Sequence, residues 1–282
     1  MAIQFEAKMP RAVPEKAAVY NLAAPRISNQ LLTRSARALR LTGSSKDFFT
    51  SQDTIGYREG RHHLEIHRVS GALQLRHLDK YGRDTGKTFE LSDKKADTIA
   101  KRFLQESALV PMDAATLRGV THLRGAEADV ETRTVREKIL DAGVVYGRVV
   151  DGIPVDGPGG YTLVNLDPEE QVVGVRSIWR GLGRRAGTVK IKSPEDARRE
   201  LEKRAARFKG DITVTKAGFS YFEQGPLDRQ AVLEPVYWFV YVVRLGEVAH
   251  KSVHVTHAGD KTFARLEGSK RFKAGEQPRR SR

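Results

Sequence analysis

The densest group of ionisable residues is Arg61-His62-His63-Leu64-Glu65-Ile66-His67-Arg68. Side chains alternate along a strand, so His63, Glu65 and His67 share one face, and His62, Leu64 and Ile66 share the other. Two imidazoles and a carboxylate are a ligand set for a divalent metal, with His77 on a partner strand as a fourth candidate. This pattern defines one alternative, a metal-dependent enzyme using His63, Glu65 and His67. The same alternation suits a solvent-facing polar strand opposite a core face of Leu64 and Ile66, and that reading is preferred. His250, Ser252, His254 and Thr256 alternate likewise against Lys251, Val253 and Val255. A Ser–His dyad needs a nucleophile turn and a third member that the segment lacks, so this stretch reads as a polar strand face.

Two glycine-rich stretches, 157–160 and 181–187, are where a phosphate-binding loop would lie. Neither has Gly-x-Gly-x-x-Gly or the Gly-Lys-Ser/Thr that opens a helix in a P-loop. Gly181-Leu-Gly-Arg-Arg-Ala-Gly187 offers backbone N–H groups and two arginines to an anion, but a connecting loop is the simpler reading. With no cysteine anywhere, disulfides, thiolate metal sites and Cys nucleophiles are excluded. The expectation is a protein that is not an enzyme and carries no cofactor.

Charge points to a partner. The chain of 282 residues carries 49 Lys plus Arg against 35 Asp plus Glu, a net +14. Residues 176–209 hold 12 basic against 4 acidic residues, and residues 267–282 hold 6 against 2. These two stretches supply 12 of the 14 charges. The first includes Arg180, Arg184 and Arg185, then a helix on which Glu195–Arg199 and Glu200–Arg204 can pair at i, i+4. Trp179 lies beside Arg180, and Trp and Arg are the residues that most often anchor interfaces. Trp179, Arg180, Arg184 and Arg185 are therefore the candidate partner-binding residues, and an acidic peptide or protein is the expected partner. Nucleic acid bound through loop 180–187 and the C-terminal tail is the second alternative.

Elements that would position these residues follow from periodicity. Ala17–Leu22 reads as extended, and Ser28 caps a helix that stops near Gly43. Ile55–Val69 reads as one strand, turned at Ser70-Gly71 into Ala72–Leu78. Ser92 caps a helix whose stripe is Ala96, Ile99, Ala100, Phe103, Leu104 and Ala108. Leu117–Leu123, Val130–Lys138 and Val144–Val150 read as strands, and Tyr161–Leu166 with Gln171–Trp179 as a hairpin. Ser193-Pro194-Glu195-Asp196 starts a helix that buries Ala197, Leu201, Ala205 and Phe208. Asp211–Thr215 and Phe219–Phe222 are extended. Val232–Leu245 and Val248–Thr256 form an antiparallel pair turned at Gly246, and the aromatic run at 237–241 marks a strand buried on both faces. Ser stands four residues before Ala at both Ser92 and Ser193, each opening a helix after a hairpin, which suggests repeated sheet-plus-helix units. Helices set apart on antiparallel sheets define an α+β protein.

Tyr146, the stretch Asp151-Gly-Ile-Pro-Val-Asp-Gly157, the Ser193–Ala197 helix start and Leu233-Glu-Pro-Val-Tyr237 together resemble thermolysin- and fungalysin-type propeptides and PepSY domains. The stretch from Tyr57 through Gly71 to the Ser92 helix is similar to the stand-alone, multi-repeat PepSY-like proteins of bacteria. The resemblance covers about residues 55–258. It implies layered α+β units of PepSY/cystatin kind: an N-terminal helix–hairpin–helix unit at 1–125, a propeptide-like unit at 126–266 and a disordered basic tail at 267–282. It also implies a non-catalytic protein that binds a polypeptide as inhibitor, chaperone or presenter of a precursor peptide. No His-Glu-x-x-His protease motif occurs in the chain, so the bound polypeptide is expected in trans. The longest apolar run, 236–243, is too short to span a bilayer, and the N-terminal residues lack the features of a secretory signal, so a cytoplasmic protein with no membrane partner is expected.

Overall fold

The computed structural model describes residues 3–129, 131, 133–205 and 210–264. The fold is α+β. Its strands are β1 (Ile3–Phe5), β2 (Lys16–Leu22), β3 (Phe48–Thr50), β4 (Thr54–Glu59), β5 (His62–His67), β6 (Leu73–His77), β7 (Ala115–Asp129), β8 (Thr134–Val150), β9 (Ile153–Asp156), β10 (Tyr161–Leu166), β11 (Val172–Ile178), β12 (Leu182–Lys190), β13 (Asp211–Phe222), β14 (Val232–Leu233), β15 (Pro235–Leu245) and β16 (Val248–His257). The helices are α1 (Asn29–Ala38), α2 (Asp93–Ser107) and α3 (Pro194–Ala205).

The chain divides into a larger unit, Tyr20–Arg185 with Ser220–Leu233, and a smaller one, Met1–Val19, Ala186–Phe219 and Glu234–Arg282. The boundary expected between residues 125 and 126 falls inside β7. Phe208 and the tail 267–282 lie outside the described residues.

In the larger unit the strand order is β9-β8-β10-β11-β6-β5-β4-β3, with β7 along β8. Tyr57, Leu64, Leu75 and Val175 pack with Leu32 and Ala36 of α1. Val144, Tyr146 and Val164 pack with Ala96, Ala100 and Leu104 of α2. Both helices thus cover the same face, because these positions share one strand parity in register. Ser28 and Ser92 cap α1 and α2 as the sequence predicts, accepting from the N–H groups of Leu31 and Lys95.

The single strand predicted over Ile55–Val69 is a hairpin instead. Gly60 adopts φ +55° between β4 and β5, a conformation that costs glycine little. Glu59 and His62 close the pair. The strand expected at 117–123 lies in β7, the one expected at 130–138 lies in β8 from Thr134 onward with Val130 outside the described residues, and β7 and β8 pair antiparallel over their length.

In the smaller unit the order is β16-β15-β13, with β1 parallel to β13. Ala197, Leu201 and Ala205 of α3 are buried. Leu201 and Ala205 line a small cavity with Ile212, Tyr241 and His254, which places α3 on the sheet. Ser193 accepts from the Asp196 N–H at 3.1 Å and donates to its carboxylate at 2.7 Å, fixing the helix start. The predicted i, i+4 pairs of α3 are replaced by Arg199–Asp196, Arg198–Glu202 and Glu200–Lys192, because Asp196 is held at the cap and Lys192 reaches Glu200 from the preceding turn. A separate three-stranded sheet has the order β12-β2-β14.

Candidate functional site

The predicted partner-binding residues part company in the structure. Trp179 is half-buried, with the Arg148 guanidinium 5.4 Å from its ring centre. Arg180 is only 3% exposed. Its backbone N–H donates to Oε1 of Glu223 at 2.9 Å, and its side-chain Nη1 lies 3.4 Å from the same oxygen. The guanidinium also donates to the carbonyls of Gln224, Gly225 and Asp228, each at 2.7 Å. Arg148 approaches the other Glu223 oxygen at 3.4 Å and donates to the Arg180 carbonyl at 2.7 Å. Burial pushes the Glu223 carboxyl up and both guanidinium groups down, and their mutual attraction opposes each shift. This is an internal ionic knot, so Arg180 is withdrawn from any contact surface. Local reading missed it because Arg180 finds its charge partner in a distant segment.

The glycine-rich stretch at 157–160 forms the seat of this knot. The Gly159 N–H donates to the Glu223 carbonyl at 2.9 Å. A Cβ built on Gly157 would fall on that carbonyl oxygen, and one on Gly159 on the carbonyl of Gln224. The loop expected at 181–187 is strand: its residues from Leu182 onward belong to β12. Gly183 approaches the Asn21 carbonyl so closely that a Cβ would stand 3.0 Å from it, which explains a glycine within a strand. Arg184 and Arg185 are exposed on β12.

His63, Glu65 and His67 do share one face of β5. His63 Nε2 lies 3.7 Å from Glu65 Oε1. His67 is four residues from His63, about 13 Å along an extended strand, too far for one ion. His77 pairs in register with His62, their rings 4.6 Å apart, and so lies on the opposite face. Among the described residues, no three His, Cys, Asp or Glu side chains gather to hold a metal.

The strand face of His250, Ser252, His254 and Thr256 is also corrected. Its C-terminal half meets α3: Thr256 donates to Glu200 at 3.0 Å, and His254 is pushed down to about 4, by burial first and then by Arg204, against the pull of Glu200.

Among the described residues, one exposed feature bears on partner binding, a sheet edge. A row of unpaired N–H and C=O groups is a template for another strand, and proteins blunt it by brevity, bulges, proline or charge. β3 has three residues. β7 carries register shifts at Leu117/Gly119 and Leu123/Arg124. The end of β12 is bonded by Asp260, whose N–H donates to the Lys190 carbonyl at 2.9 Å. β16 has none of these devices except a single lysine, Lys251. It pairs with β15 over ten residues in unbroken register, from Leu245↔Val248 to Val236↔His257. No strand flanks its outer side among the described residues. Residues 248–253 are all exposed, with Val248 at 55% and Val253 at 60%. Sequence reading found this hairpin and its Gly246 turn, but no local signal tells which strand of a sheet is outermost.

No family model matches the chain, and no curated protein matches it. Among solved structures, the chain is similar to an uncharacterized protein from Eubacterium rectale, with a TM-score of 0.54 at 13% sequence identity, over 94% of this chain and 91% of that one. At this identity the likeness concerns fold alone. No helix among the described residues is long and apolar enough to cross a membrane.

Proposed function

We propose that the protein is a non-catalytic, cytoplasmic polypeptide-binding protein built from PepSY-like sheet-plus-helix units. It holds an extended segment of another chain in trans as an added strand along β16. The observation that carries this reading is the ten-residue, unbulged, proline-free edge of β16, beside edges that are short, bulged or bonded. Main-chain hydrogen bonds along β16 supply affinity, and the exposed Val248 and Val253, on opposite faces of the strand, each contact guest side chains on their own face. Arg244, Lys251 and the helix cations Lys203 and Arg204 favour an acidic segment and speed its encounter. Presentation of a precursor peptide to maturation enzymes, or inhibition or chaperoning of a protease, are settings for such an activity. The repeated-unit reading is supported by α2 and α3, each opened by a serine cap and each lying on a sheet.

Selection of a random peptide library against the full chain, repeated with Ser252→Pro and Val253→Pro, tests the reading. Adjacent residues of an antiparallel strand point their N–H groups to opposite edges. One proline therefore breaks the β15 ladder, and the other removes a donor from the outer edge alone. The variant that keeps the parent melting temperature should lose the selected peptides. Equal capture by the parent and that variant contradicts the placement.

A further inference from the structure

The larger unit's sheet has a second face, opposite α1 and α2. Across it, Arg58, His63 and Arg76 stand abreast on β4, β5 and β6. Arg176 on β11 stands abreast of Gln74 and Glu65. Neighbouring strands are about 4.8 Å apart, so Arg58 and Arg76 are about 10 Å apart at the backbone. Arg176 is a diagonal neighbour of Arg76, at about 7 Å. All three arginines are exposed, and none has a carboxylate within ion-pair distance among the described residues. On the same face, Nε2 of His63 and Nδ1 of His67 are buried without a hydrogen-bond partner.

Two aromatic rings stand among these cations. The Arg58 guanidinium lies 5.8 Å from the ring centre of Phe49, and that of Arg76 lies 5.5 Å from Tyr81. Both rings occupy space left by glycine: a Cβ on Gly56 would strike Phe49, and one on Gly174 would strike Tyr81. The glycines in these strands therefore admit rings onto the face.

We propose that this face binds a single-stranded nucleic acid, with Arg58, Arg76 and Arg176 on successive phosphates and the bases beside Phe49 and Tyr81. Cations spread over an open sheet suit an extended polyanion, whereas a small anion needs enclosure. Rings interleaved with arginines favour bases over the side chains of an acidic peptide. This site is independent of β16 and lies in the other unit.

The test is fluorescence anisotropy of a labelled oligo-dT of about 20 nucleotides with the full chain, between about 50 and 200 mM salt. Three phosphate contacts on a single strand give a salt slope of about 2, a loss of about 20-fold over that range. Arg58→Gln/Arg76→Gln/Arg176→Gln should weaken binding at least tenfold at low salt and remove that part of the slope. Lys94→Gln/Lys101→Gln/Arg102→Gln removes equal charge from the exposed side of α2 and should change affinity less than about twofold. The proposal is overturned by no binding at low salt, by equal losses in the two triple variants, or by polyglutamate competing as well as unlabelled oligo-dT.

Discussion

The backbone N–H of Arg180 donates to Oε1 of Glu223 at 2.9 Å, and the guanidinium of the same arginine donates to the carbonyls of Gln224, Gly225 and Asp228. Arg180 thus shares a buried carboxylate with Arg148 and ties down the segment that carries it. Without the Arg180 side chain, Arg148 still faces Glu223, but the carbonyls of Gln224, Gly225 and Asp228 lose their buried donor, and buried polar groups left unsatisfied cost about 1–3 kcal/mol each, so at least about 3 kcal/mol together. Arg180→Ala should lower unfolding free energy by that amount in urea titration. Arg184→Ala, at an exposed site, should stay within about 0.5 kcal/mol of the parent. A small stability cost for Arg180→Ala joined to a loss of partner binding would instead make Arg180 a contact residue.

Gly157 and Gly152 separate conformational strain from crowding. Both have positive φ, +118° and +74°. A Cβ on Gly152 meets nothing within 4 Å, whereas one on Gly157 meets the Glu223 carbonyl. Gly152→Ala should cost about 1 kcal/mol. Gly157→Ala should cost at least about 2 kcal/mol, since the backbone of the ionic knot must shift as well. Equal melting temperatures for the two variants would show that the seat tolerates the added methyl group.

Acid should weaken the smaller unit through His254. Its folded-state value of about 4 lies below the ordinary histidine value, so the unfolded chain binds the proton more readily. The stability this neutral imidazole contributes is present above about pH 6.5 and is lost as the pH falls toward 4. The full effect is on the order of 3 kcal/mol. His254→Gln should lose less stability than the parent between pH 7 and pH 4.5 in matched urea titrations. Parallel losses in both proteins would assign the acid sensitivity to other groups.

Much of the fold was legible locally because periodicity and caps are local. Ser28, Ser92 and Ser193 mark their helices, and Gly246 marks the turn from β15 to β16. Gly60 was hidden because alternation continues on both sides of it, so two strands read as one. The fate of Arg180 was not legible, because Glu223 lies 43 residues away and nothing near Arg180 signals burial. The candidate edge was legible as a strand and not as an edge. Its outermost place comes from sheet order, which the pairing of β15 with β13 decides. The histidine strand shows the converse: its facing was read correctly, but strand rise spreads His63 and His67 too far apart for the metal that their types suggested.

Amide hydrogen exchange of the full chain, with and without a saturating peptide recovered from the library selection, tests strand addition to β16 most directly. The account predicts new protection at alternate residues of 248–257, those whose N–H groups face outward, with little change in β15. Protection confined to other strands, or a peptide that binds fully while the β16 amides exchange as before, would contradict it.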